Sequence, residues 1–224
     1  MGINYERLYD YRFRDVDQES RQLVWNEIAV HVYKLMGGPD RVLDPGAGRC
    51  EFINAIPATE RWIVDLLDYS EYRDSGVKVV YGNILDAELP SDYFDGVFIS
   101  NVLEHLPSQE AVGAVLGRLW DAMEPGGTLA IMGPNFRYCA GEYFDCADHT
   151  VALTHVAVAE HAHAAGFDVS RVIPRFLPYS FRGILPPSPL LTRTYLRVPA
   201  VWRLLGKQFL VLATKPGTGE RASC

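Results

Sequence analysis

Long apolar runs, cysteine and excess positive charge are all scarce in this chain, and each scarcity excludes a class of protein. No stretch approaches the roughly 20 apolar residues that cross a bilayer, and the segment from Met1 to Glu6 lacks the basic-then-apolar pattern of a secretion signal. Gly2 is followed by Glu6 where myristoylation wants Ser or Thr, and Cys224 stands last, where no prenylation box is formed. The four cysteines, Cys50, Cys139, Cys146 and Cys224, are spread through 224 residues. A chain of that length buries its own core without staples, so they read as reduced thiols and the expected compartment is the cytoplasm. Lys and Arg number 21 against 28 Asp and Glu, a net charge of −7. Such a balance has no long-range attraction for phosphate backbones or anionic lipid, so neither nucleic acid nor membrane is expected as a partner.

What is present is ordinary globular material, 48% hydrophobic and 22% charged, arranged as alternating helices and strands. From Arg21 to Met36 the apolar residues Leu23, Val24, Ile28, Val32 and Leu35 follow a helical period, which Gly37-Gly38-Pro39 ends. Short apolar strands are expected from Arg41, at Trp62–Asp65, Val77–Tyr81, Phe94–Ser100 and Thr128–Met132, then at about Phe167–Ile173 and from Gln208 to Ala213. Helices are expected at about Gln109–Met123 and Val156–Ala165. Repeated βα pairing with mostly apolar strands implies a parallel sheet with helices on both faces.

Where the first strand ends, the chain reads Asp44-Pro45-Gly46-Ala47-Gly48-Arg49-Cys50-Glu51. Glycines there let backbone approach a ligand at the carboxyl edge of a doubly wound sheet. The third glycine of a dinucleotide fingerprint is replaced by Glu51, which sets a negative charge where a pyrophosphate would sit. Asp44 suits a cationic group, and Asp65 at the end of the second strand suits the hydroxyls of a ribose. A ribose-bearing, positively charged ligand without phosphate fits these residues.

The ordered set of segments around that turn resembles the class I S-adenosylmethionine-dependent methyltransferases. It comprises Val-Leu-Asp-Pro-Gly-Ala-Gly at 42–48, Val-Asp-Leu at 64–66, Gly-Asn-Ile at 82–84, Phe-Asp-Gly-Val-Phe at 94–98, Ser-Asn-Val-Leu-Glu-His-Leu at 100–106 and Glu-Pro-Gly-Gly-Thr-Leu at 124–129. The resemblance implies an α/β, Rossmann-like, doubly wound seven-stranded sheet, mostly parallel with an antiparallel last strand. It implies S-adenosyl-L-methionine as cofactor, with Asp44, Gly46 and Gly48 framing the methionine end and Asp65 and Leu66 at the ribose. Asn83 and Ile84 would meet the adenine, and Ser100, Asn101 and Val102 would line the sulfonium, with Glu104 and His105 nearby. Residues 1–216 are expected to form one methyltransferase domain, with 1–40 covering the cofactor, 175–205 an inserted lid and 217–224 a fraying tail.

Outside that frame, Tyr11 and Arg12 are expected to touch the cofactor, Arg12 by pairing with the methionine carboxylate. The loop after the fifth strand carries Asp148 and His149, a pair suited to tune a general base alongside His105, although Asp-His-Thr is also good helix-capping chemistry. Cys139, Cys146, His149 and His155 match no compact zinc spacing, and His161 and His163 face different directions on a helix, so no metal is expected. The insertion, with Arg175, Phe176, Tyr179, Phe181, Arg182, Tyr195 and Trp202, suits a small organic acceptor or a second subunit, which would make a homodimer. The activity expected is methyl transfer to a small molecule, oxygen before nitrogen. Two rivals stand beside it: transfer or cyclisation of the aminocarboxypropyl group with release of methylthioadenosine, and a non-catalytic cofactor- or partner-binding module.

Overall fold

Each apolar run bounded by turn residues becomes a strand of one sheet. The computed structural model describes residues 4–178 and 188–217. Within them the strands are β1 (Arg41–Pro45), β2 (Glu60–Asp65), β3 (Val77–Tyr81), β4 (Phe94–Ser100), β5 (Met123–Pro134), β6 (Asp168–Ile173) and β7 (Gln208–Thr214). Their spatial order is β3-β2-β1-β4-β5-β7-β6. The pairs β3·β2, β2·β1, β1·β4 and β4·β5 are parallel, and β7 runs antiparallel to both β5 and β6. The last strand in sequence is therefore the one reversed strand, as expected. Strand order reverses direction between β1 and β4, and the carboxyl ends of those two strands open the crevice where such sheets take their ligands.

Helices close both faces. On one side α4 (Gln109–Ala122) and α6 (His155–Ala164) bury Val112, Val115, Leu116, Leu119, Val158 and Ala162 against Leu43, Val97, Leu129 and Val211. On the other, α2 (Gln18–Leu35) and α3 (Glu51–Ala55) bury Val24, Ile28, Val32, Phe52 and Ile53 against Val42, Phe98, Ala130 and Leu210. Alternate residues of the central strands thus feed two cores, which is why those strands read as continuous apolar runs. Caps set the helix starts: Asp17 accepts the Ser20 N–H at 3.0 Å and Ser108 accepts that of Ala111 at 3.2 Å. Among the described residues no helix is long and apolar enough to cross a membrane.

Three elements depart from the sequence pattern. The N-terminal run folds as α1 (Tyr5–Phe13), a helix with no fully buried residue and hence no apolar stripe to betray it. The segment after β5 forms α5 (Phe136–Tyr143), whose chain is non-helical at Cys139. β5 begins at Met123 rather than Thr128, because the Pro-Gly-Gly segment is held by a Gly126 N–H bond to the Lys215 carbonyl at 2.8 Å and the β4 register shifts there.

The described part of the insertion is ordered by aromatic packing, but against α2. It forms α7 (Pro189–Leu196) and α8 (Pro199–Leu205), and Leu196 and Trp202 are buried. Trp202 meets the Phe176 ring edge-on at 5.2 Å and the His31 ring at 6.0 Å, and its indole N–H donates to the Tyr195 carbonyl at 2.8 Å. Arg193 grips Glu27 of α2 with two bonds of 2.9 and 2.5 Å. The described residues of α7 and α8 thus seat on α2. Tyr179, Phe181 and Arg182, named for the expected lid, lie outside the described residues, as does the expected tail from 218 onward.

Truncating Trp202→Ala removes the central ring of this packing and is expected to cost about 3–5 kcal/mol in chemical denaturation. A loss below about 1 kcal/mol would mean that α8 is not part of the folded core.

Candidate active site

The turn after β1 takes a shape that its residues would otherwise resist. Gly46 and Gly48 have φ of +69° and +51°, and Cys50 adopts the left-handed region at φ +61° without being glycine. A Cβ on Gly46 would lie 2.5 Å from Val102 Cγ2, so this turn and the loop after β4 are in contact only because the residue is glycine. The Gly46 N–H donates to the Val64 carbonyl at 2.7 Å. Asp65 completes the arrangement: one oxygen accepts the Gly48 N–H at 2.9 Å and the other the Leu67 N–H at 3.0 Å. Asp44, Gly46, Gly48 and Asp65, separate in sequence, are thereby gathered at one corner of the sheet edge.

That corner is electrostatically loaded. Asp44 is 3% exposed, and burial, then the charges of Glu51 and Asp65, raise its pKa well above the carboxylate range. Burial also raises Asp65, against the opposing backbone bonds of Leu67 and Gly48. Glu51, in the first turn of α3, is gripped by Arg21 Nε at 2.5 Å. The Cys50 thiol, wholly buried, is pushed up to about 12 by burial and by Asp44 and Asp65. A cationic ligand is the species that relieves such a crowd of acids.

The neighbouring edge is built from the ends of β3 and β4. Ser100 Oγ accepts Asn101 Nδ2 at 2.8 Å, and Asn101, at φ +53°, bonds the Met132 carbonyl through its N–H. Leu66 is 59% exposed just beyond β2. Asn83 Oδ1, expected to reach the ligand, accepts the Leu85 N–H at 3.0 Å and so closes its own turn. Ile84 is buried, and its carbonyl takes Arg118 Nε at 3.0 Å.

A second cluster lies where the loop after α5 meets the 3-10 turn Leu103–His105 that follows β4. Thr150 and Val151 both donate backbone N–H to the Glu104 carbonyl, at 2.9 and 3.2 Å, pinning the two segments together. His105 Nδ1 lies 3.1 Å from the Asp148 carbonyl oxygen and 3.3 Å from Asp148 Oδ2. The His105 and His149 rings meet at 4.9 Å, and Glu104, Asp148 and His149 are all buried. One donor atom each from Glu104, His105 and His149 falls within 4.8 Å of the other two. Burial opposes ionisation of Asp148, but the Arg12 bond and the His105 charge hold its carboxyl below the usual range. Burial, then the charge of His105, lowers His149 to about 4, so its ring is neutral at neutral pH.

The other residues named from the sequence fall in different surroundings. Arg12 Nη2 bonds Asp148 Oδ1, so the guanidinium expected to hold a ligand carboxylate is anchored to the protein. Tyr11 is 67% exposed with the Arg14 guanidinium 4.1 Å over its ring. Tyr9 is the residue of α1 turned toward the site: burial and the Asp148 charge raise its phenol, with Arg12, Tyr69 and Asp65 also acting on it. The N-cap of α6 is Thr154, not Asp148 or His149. His155 is bonded to Asn135 at 2.9 Å and the Cys139 thiol donates to the Asn135 carbonyl at 3.1 Å, apart from His149. Tyr9, Tyr69, Arg21 and the structural part of Glu51 escaped the sequence pattern, and only for Tyr9 was there a signal, the Tyr and Arg density of residues 5–14.

Residues 43–131, from β1 into β5, match the family model described as a methyltransferase domain. Among solved structures the chain is similar to an S-adenosylmethionine-dependent methyltransferase from Archaeoglobus fulgidus, with TM-score 0.66 and 20% identity over 95% of this chain and 100% of that one. It is similar to an S-adenosylmethionine-dependent methyltransferase from Mesorhizobium loti at TM-score 0.59, with 17% identity over 84% of this chain and 97% of that one. It is also similar to the geranyl diphosphate C-methyltransferase of Streptomyces coelicolor, solved with Mg2+, geranyl diphosphate and S-adenosyl-L-homocysteine, at TM-score 0.61 and 13% identity over 84% and 77%. No curated protein matches the sequence significantly. The fold is that of the class I methyltransferases, the matched segment contains the glycine turn and Asp65, and together they support S-adenosylmethionine as the cofactor.

Asp44→Asn tests the electrostatics of the corner. The folded pKa of Asp44 lies above its unfolded value, so its contribution to stability is intact below the ordinary carboxylate range and lost as pH rises through the raised value. The Asn variant is therefore expected to unfold at a higher temperature than the parent at pH 7. The difference should vanish toward pH 3, and calorimetric scans across pH check both.

Proposed function

We propose that the protein is an S-adenosylmethionine-dependent methyltransferase acting on a small-molecule acceptor, on oxygen in preference to nitrogen. One observation carries this: Asp65, bonded to the Gly48 N–H across the sheet edge, sits beside a crowded carboxyl corner within the segment that matches a methyltransferase domain. When bound, the cofactor supplies an electrophilic methyl group on a sulfonium.

The chain's own residues then divide the work. Asp65, with Leu66 beside it, holds the ribose hydroxyls, while Gly46 and Gly48 let backbone approach the methionine end and Asp44 offsets its positive charge. The amide nitrogen of Asn83 and the N–H of Ile84 face the adenine; Ser100, Asn101 and Val102 border the sulfonium. Helix α1, within the covering segment 1–40 of a single domain 1–216, closes over this edge through the Arg12–Asp148 pair, with Tyr9 rather than the exposed Tyr11 toward the interior. His105, oriented by Asp148, and the neutral His149 stand at the acceptor's side to hold its oxygen or receive its proton. Most of the acceleration in such an in-line displacement comes from holding the reactants in contact, on the order of 10⁵ to 10⁸ M in effective molarity.

The acidic site next to a left-handed Cys50 keeps a second chemistry in view, attack on the aminocarboxypropyl carbon. Mass spectrometry of the nucleoside product separates the two: S-adenosylhomocysteine is expected, and methylthioadenosine would replace methyl transfer with the second reaction. Asp65→Ala is expected to weaken S-adenosylmethionine binding by at least about 1.5 kcal/mol, the value of a charge-assisted hydrogen bond, as read by titration calorimetry. Failure of the parent protein to bind S-adenosylmethionine at high micromolar concentration would leave only a non-catalytic module.

A further inference from the structure

The cluster of Glu104, His105 and His149 is more than an acid–base group. We propose that it is a binding site for one divalent transition-metal ion per chain, whose open coordination positions receive an oxygen of the acceptor. The ion site stands on the geometry of the cluster; its link to the acceptor rests on the methyltransferase reading.

Donor type and spacing come first. Two imidazoles and one carboxylate each present a ligand atom within 4.8 Å of the others. Bonds of about 2.0–2.2 Å to a common ion bring such atoms to about 3–4 Å, a closure within the reach of small side-chain rotations. Two nitrogen ligands favour ions of the zinc, iron or manganese kind over magnesium, which prefers oxygen and water. Three protein ligands leave positions for exogenous oxygen, the arrangement of a reacting rather than a structural centre.

The surroundings are those of a ligating shell. The Nδ1 edge of His105 faces the Asp148 carbonyl at 3.1 Å and Asp148 Oδ2 at 3.3 Å, which fixes the proton on Nδ1 and leaves the Nε2 lone pair for a metal. His149 Nδ1 is buried and has no hydrogen-bond partner among the described residues. Glu104 and His149 are 2% and 9% exposed. Buried polar atoms left in this state are costly unless a ligand completes them.

Position gives the ion its task. The cluster is built on the turn directly after Ser100 and Asn101 and on the loop that follows α5, so an ion held there lies beside the sulfonium-facing residues. A hydroxyl coordinated to it would lose its proton more readily, which favours an acceptor with oxygen donors, such as a vicinal diol, a hydroxy acid or a phenol with a neighbouring oxygen.

The test uses the full chain stripped of metal with a chelator. Mn2+ uptake is followed by loss of the free-ion electron paramagnetic resonance signal, and Zn2+ uptake by calorimetry. One ion per chain is expected, with affinity at least about tenfold weaker in Glu104→Gln and in His149→Asn and unchanged in the exposed-site control His163→Ala. Circular dichroism verifies that the variants are folded, and Glu104→Gln, which keeps shape and size, decides the matter if His149→Asn is not. No stoichiometric uptake, or uptake that Glu104→Gln leaves unaltered, overturns the site. S-adenosylmethionine calorimetry on the same samples separates the two proposals: cofactor binding without ion uptake overturns only the metal site, and ion uptake without cofactor binding overturns only the methyltransferase reading.

Discussion

The carboxyl edge of the sheet concentrates negative charge in low-dielectric surroundings, and the rest of the molecule answers to that constraint. Asp44, Glu51, Glu104 and Asp148 are all buried there, and Asp65 is half-buried beside them. Both guanidinium groups that offset them, Arg12 and Arg21, come from the two N-terminal helices. The docking of α1 is accordingly an electrostatic event: the helix buries no complete side chain, and what holds it is an ion pair out of bulk water together with the half-buried Tyr9. Such a pair resists removal of either partner far more than its net contribution to stability implies, because the survivor is left charged and buried.

The same edge shows how a parallel sheet turns distant sequence into one site. Five of its functional segments follow the ends of β1, β2, β3, β4 and β5, and the reversal of strand order between β1 and β4 opens the space between them. Backbone bonds then lock the segments to each other. Gly48 is tied to Asp65, Gly46 to Val64, and Glu104 to Thr150 and Val151. Precision at the site thus comes from amides whose positions the sheet dictates, with side chains added on top.

Legibility in the sequence follows from the range of the forces involved. The strands, the glycine turn and the place of Asp65 could be read because apolar periodicity and turn chemistry are local. Helix α1 could not, since its partner Asp148 is 136 residues away from Arg12 and its own face carries no apolar stripe. The union of Glu104 with His149 is equally invisible to spacing rules, which look for ligands along the chain, whereas these two meet through a backbone pin between separate loops. Tyr9 was missed in favour of Tyr11 because a two-residue step on a helix swings a side chain by most of half a turn. The aromatic content of the insertion carries no direction, and only packing sends Trp202 to α2.

Cys50 occupies the tightest part of the glycine turn, buried, left-handed and with its thiol near pKa 12, donating to the Gly48 carbonyl at 3.7 Å. Only a thiolate is an effective sulfur nucleophile. In the proposed methyltransferase, a sulfonium donor lying against this turn would meet a sulfur that burial first, and the charges of Asp44 and Asp65 after it, keep protonated and inert.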